Sequence, residues 1–113
     1  MKVQNYLDVK EEKVKDEGAK NTTIRWVISK EDGAPNFAMR VFEIGPGGNT
    51  PFHQHLWEHE VFVLEGMGKI KGEKEEVPIK SGDTIFVEPN EKHQFINTGT
   101  GSLKIICVIP HHE

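Results

Sequence analysis

Three histidines fall within seven residues, His53-Gln54-His55-Leu56-Trp57-Glu58-His59, and a fourth, His93, follows 34 residues later. A neutral imidazole offers one ring nitrogen as a lone-pair donor, which makes histidine the commonest protein ligand for transition metals. On an extended segment His53 and His55 project from the same face. A short turn through Leu56-Trp57-Glu58 then returns His59 at the head of the next strand, and His93 opens another strand after the turn Glu88-Pro89-Asn90. If the two hairpins are neighbours, four imidazoles converge. One histidine at a strand start is ordinarily structural or exposed. Four aimed into one cavity leave lone pairs without partners unless a cation takes them. His53, His55, His59 and His93 are therefore expected to bind one divalent transition-metal ion. Imidazole suits Mn, Fe, Co, Ni, Cu and Zn better than Mg or Ca. His111 and His112, at the frayed end, are expected to be solvated.

The surrounding text is what must position these side chains. Short apolar runs, Ile24–Ile28, Phe37–Ile44, Val61–Leu64, Val77–Ile79, Thr84–Val87, His93–Ile96 and Leu103–Ile109, are separated by turn signals. Those include Gly45-Pro46-Gly47-Gly48, Gly66-Met67-Gly68 and Ser81-Gly82-Asp83. Runs of this length and composition are strands, and their regular spacing predicts an all-β sandwich or barrel. The expected organisation is one domain: residues 1–22 an N-terminal arm and edge strand, with Lys10 to Lys20 a loop, and residues 23–113 the barrel. In Val61–Leu64 both faces are apolar, so the outer face needs a cover, from the arm or a second subunit, and a homodimer is expected.

The two histidine segments resemble the paired motifs of the cupin family. Gly47, five residues, His53-x-His55, three residues, His59, six residues, Gly66 matches the first, with His59 where the family has Glu. Gly82, five residues, Glu88-Pro89-Asn90, two residues, His93, three residues, Asn97 matches the second, with Glu88 for its Pro and Asn90 for its turn Gly. Asn tolerates the left-handed conformation that this turn needs. The resemblance covers residues 47–97 and implies a double-stranded β-helix, or jelly-roll barrel. Segments such as Ala34-Pro35-Asn36-Phe37 and Phe86-Val87-Glu88-Pro89-Asn90-Glu91 are similar to the small dimeric four-histidine cupins known as manganese-binding. That resemblance implies Mn(II) or Fe(II), with Zn, Ni, Co and Cu admissible.

Four neutral imidazoles leave the ion its full charge and open coordination positions, with room for a small organic substrate and dioxygen. Dioxygenase-type oxidation is the leading expectation. The alternatives are a non-catalytic small-molecule binding or sensing protein, and a metal-assisted isomerase or decarboxylase in which Glu88 or an open-site hydroxide serves as base. Alternation puts Ile105, Cys107 and Ile109 on the inner face opposite Lys104, and Arg40 and Phe42 opposite Glu43. Phe95, two residues past His93, joins that wall. An inward Arg40 would anchor a carboxylate or phosphate. Cys107 is either a small core residue or an oxidation-sensitive neighbour of the site. Glu58 and Glu60 are candidates to hydrogen-bond a ligand imidazole, and Asn97 to tie a loop. With ordinary imidazole pKa values the metal should leave below about pH 6.

Composition narrows the partners. The formal charge is −4 and the pI about 5.9, without a basic stripe, so nucleic acid is not expected. The single cysteine, Cys107, gives no internal disulfide, and neither a signal peptide nor a membrane span is read, so the expected location is the cytoplasm.

Overall fold

The structure is a computed structural model, and it describes residues 1–112. Nine strands are formed among these residues: β1 (Glu12–Lys13), β2 (Lys20–Ile28), β3 (Phe37–Asn49), β4 (His59–Glu65), β5 (Met67–Lys71), β6 (Glu76–Lys80), β7 (Thr84–Val87), β8 (Gln94–Asn97) and β9 (Leu103–Pro110). All pair antiparallel. The order is β6-β5-β8-β3-β9-β4-β7, with β2 also on β3 and β1 on β2. The sheet curls into the all-β barrel architecture expected from the strand spacing.

Strand β3 is the corner of the curl. Its first eight residues, Phe37 to Ile44, pair with β9, while Asn49 at its far end pairs with Ile96 of β8. Gly45-Pro46-Gly47-Gly48, expected to break the chain, instead lies inside this strand. A Pro and three small residues let the backbone bend from one half of the barrel to the other without leaving the ladder. Met67 is likewise strand rather than turn. Only Gly66, at φ +90°, makes the bend, and a Cβ on Gly68 would lie 2.3 Å from the Ile96 carbonyl oxygen. Gly68 is there so that β5 can lie against β8.

Residues pointing into the curl form the core, with Ile44, Val63, Leu103 and Ile105 essentially inaccessible. Strand β9 alternates throughout, with Leu103, Ile105, Cys107 and Ile109 buried and Lys104, Ile106 and Val108 less so. The outer face of β4 and β7 keeps Phe62, Leu64 and Phe86 exposed in the single chain. The N-terminal arm lies elsewhere. Tyr6 sits near Arg25 and Lys104, and its hydroxyl accepts a hydrogen bond from Lys104 Nζ at 3.2 Å. Glu12 and Lys13, read as loop, add a short strand to the edge of β2, and β2 itself begins at Lys20, before the expected boundary at residue 22.

Candidate metal centre

His53 lies between β3 and β4 and is held by main-chain hydrogen bonds. His53 and His93 form an antiparallel bridge: the His93 N–H donates to the His53 carbonyl at 2.9 Å and the His53 N–H to the His93 carbonyl at 3.2 Å. Residues opposite each other in such a pair project to the same face. Their ring centroids are 5.0 Å apart. Thr50 strengthens the pairing, because its hydroxyl accepts from the Phe95 N–H and its carbonyl from Gln94 Nε2.

His59 opens β4 opposite Val87. Its ring is 4.7 Å from that of His93 and 5.2 Å from that of His55. His55 is fixed from behind by the Asn90 N–H, which donates to its carbonyl. Asn90 has φ +66°, the left-handed conformation expected where the family motif has Gly. The His55 ring lies flat on Trp57, 4.5 Å away at 10°, which draws it outward to 6.2 Å from His93.

Five of the six ring pairs thus lie at centroid separations of 4.3 to 6.2 Å. Among the described residues, however, no three His, Cys, Asp or Glu side chains present their donor atoms as a finished cage. The donor chemistry nevertheless fits a transition metal. Burial, first among the causes, lowers all four pKa values from 6.5, with His53 falling to about 4 and His59 to about 3. For His53, His55 and His59 the other imidazoles and Arg40 add to the effect. His53 and His59 therefore remain neutral, with lone pairs free, well below the pH of about 6 at which ordinary imidazoles protonate, and His55 and His93 shift in the same direction. The Nδ1 of His59 is buried without a hydrogen-bond partner, and such an atom is costly unless something is bound to it.

A cavity of about 850 Å³ opens over the cluster. Arg40, Phe42, Phe95, Ile105, Cys107 and Ile109 all line it together with the four histidines. Arg40 donates from Nη2 to Cys107 Sγ at 3.0 Å and lies over the rings of Phe42 and Trp26. Cys107 is 2% exposed, and burial raises its pKa. It is a protonated thiol of the cavity floor.

Glu58 and Glu60 are not at the site. Both are exposed and absent from the cavity wall, because strand alternation turns a residue next to inward His59 outward. The imidazole partner is a main-chain atom instead: His93 Nδ1 donates to the Glu91 carbonyl at 2.9 Å, which leaves Nε2 of that ring as the lone-pair nitrogen. Nothing in the residue type at 91 signals this. Asn97 ties the loop after β8, donating from Nδ2 to the carbonyls of Ile44 and Gly101 and accepting from the Gly99 N–H, all at 2.8 Å. Two further features had no sequence signal. Residues of the arm, including Lys13 and Asp16, reach the cavity mouth, and His112, exposed as expected, also stacks on Trp57 at 3.8 Å, 11° from parallel.

A curled antiparallel sheet holding a histidine cluster beside a cavity defines a barrel of the cupin type. The chain belongs to the cupin family, whose domain model (Cupin domain) matches residues 40–109. It is 35% identical over 87 residues to the oxalate-binding protein of Thermotoga maritima, covering 74% of this chain and 70% of that one. Among solved structures it is similar to the polyketide cyclase RemF from Streptomyces resistomycificus, with a TM-score of 0.92 and 38% identity over 97% of this chain and 79% of that one. It is also similar to a predicted oxalate decarboxylase from Thermotoga maritima, with a TM-score of 0.86 and 27% identity over 98% of this chain and 100% of that one.

Proposed function

We propose that His53, His55, His59 and His93 hold one divalent transition-metal ion, Mn(II) or Fe(II), and that the protein carries out dioxygenase-type oxidation of a small organic molecule. The observation that carries this is the cluster of four partly or fully buried imidazoles, all with lowered pKa values, at the base of one cavity. When bound, such an ion supplies Lewis acidity and one-electron chemistry. The chain's own residues do the rest. The Glu91 carbonyl fixes the His93 tautomer. The reciprocal His53–His93 backbone pair holds two rings side by side. Phe42, Phe95 and Ile105 keep water from the reacting face, and Trp57 braces His55.

The tests are elemental analysis of protein purified without added metal, and oxygen uptake with a panel of enolic, diketone and phenolic compounds. One Mn or Fe per chain and substrate-dependent oxygen uptake are expected. Metal-free protein with no uptake on reconstitution sinks the proposal. The names of two relatives, an oxalate-binding protein and a predicted oxalate decarboxylase, favour a second reading, binding or decarboxylation of a small carboxylate. Turnover that is unchanged without oxygen supports it over oxidation. We further propose that the chain acts as a homodimer through the exposed face of Phe62, Leu64 and Phe86 and works in the cytoplasm. No helix among the described residues is long and apolar enough to cross a membrane.

A further inference from the structure

Arg40 is a fixed positive charge inside the cavity. Its Nε is buried without a hydrogen-bond acceptor, and its Nη2 is spent on a thiol, a weak acceptor that carries no neutralising charge. Its remaining contacts are two aromatic faces, Trp26 and Phe42. Among the described residues it forms no ion pair: Glu11, at the mouth, is 3.5 Å from Arg25 instead and accepts from Thr23, while Glu12 and Asp16 line the mouth without pairing with it. A guanidinium stays charged at any physiological pH, and a half-buried one whose Nε has no acceptor is suited to a bidentate anion.

The walls constrain the rest of the ligand. A cavity of about 850 Å³ lies in the range that accommodates drug-sized molecules. Oxalate, two carboxyl groups and nothing else, would leave most of it empty and gain nothing from Trp26, Phe42, Phe95 and Ile109. The cationic edge and the aromatic floor are adjacent, since Arg40 itself lies 5.0 Å from the Phe42 centroid. We propose that the cavity selects an aryl carboxylate: the carboxylate on the Arg40 guanidinium, the planar apolar body along Phe42 and Trp26, and the far end toward the histidine cluster. This deepens the proposed function by naming its substrate class, and it rests on that cavity being the site.

The test is calorimetric titration of 2-naphthoate, 2-naphthamide and oxalate into the protein as purified and after chelation. We expect 2-naphthoate to bind at least about tenfold more tightly than either competitor, the scale of a charged hydrogen bond in a desolvated site. That preference should persist in the chelated protein, and Arg40→Met should erase the acid-over-amide preference while Arg40→Lys keeps part of it. Equal affinity for acid and amide overturns the proposal, as does oxalate binding as tightly as naphthoate. A preference present only with metal also overturns it, because the carboxylate would then sit on the ion. Should Arg40→Met fail to fold by circular dichroism, the acid and amide comparison on the unaltered chain still decides. Loss of metal binding with the preference intact removes the metal proposal alone.

Discussion

An imidazole held partly buried beside other imidazoles does not gain a proton where a solvated one would. The unfolded chain has four such rings titrating near 6.5, whereas in the fold burial lowers His53 to about 4 and His59 to about 3. Between those values the unfolded state binds protons that the folded state refuses, so the metal-free protein loses stability as pH falls from about 6.5 toward 4, and the loss levels off below the folded values. Melting temperatures of chelated protein across that interval check this, and His59→Gln should flatten the slope. Removing one donor should act more abruptly on the loaded protein. His93→Ala is expected to lower metal affinity by at least about a hundredfold, beyond what loss of a supporting hydrogen bond does, with unchanged circular dichroism. Equilibrium dialysis against Mn(II) measures it. At this scale the sequence was highly legible: the i, i+2 histidines, and the alternation around Lys104 that turns Cys107 inward, are pattern, and pattern survives folding. The Glu91 carbonyl was not legible, since a main-chain oxygen has no letter of its own. Nor was the His112 stack, which depends on where a tail comes to rest.

Strands and turns carry the next level. Asn97 joins β8 to the β3 corner and to the loop before β9 through three hydrogen bonds while 5% exposed. Asn97→Ala strands two carbonyls and an amide, and is expected to destabilise by roughly 2–3 kcal/mol, read from the urea midpoint. Gly68→Ala should be worse than its size suggests, because its Cβ would meet the backbone of β8 at 2.3 Å. It is expected to separate β5 from β8 and expose those amides to hydrogen exchange. Composition misled at both glycine-rich stretches. Gly and Pro are punctuation on average, but at Gly68 and along Gly45–Gly48 they permit close approach and bending within a continuing ladder. The strands themselves, from Thr84–Val87 to Leu103–Pro110, were legible within a residue because their apolar periods are undisturbed.

On the molecule's outside, Phe62 and Phe86 are diagonal neighbours, since Phe62 is paired with Thr84 and Phe86 with Glu60. At 44% and 60% exposure they form an apolar face that a second copy would cover. Light scattering should return about twice the 12.8 kDa chain mass, and Phe62→Glu with Phe86→Glu should return the single mass with metal content unchanged. A monomeric unaltered protein at high concentration ends the homodimer proposal. Strand β3 has a different consequence. It brings Arg40 and Phe42 to the cavity from one end and leads into His53 from the other, and it is hydrogen-bonded into both halves of the curl. No half of this chain can melt and leave a working pocket behind, so ligand capture and global unfolding are one equilibrium. A saturating compound, at about a hundred times its dissociation constant, should add roughly 2.7 kcal/mol to the whole fold. Differential scanning fluorimetry is thus a direct route to finding the natural ligand.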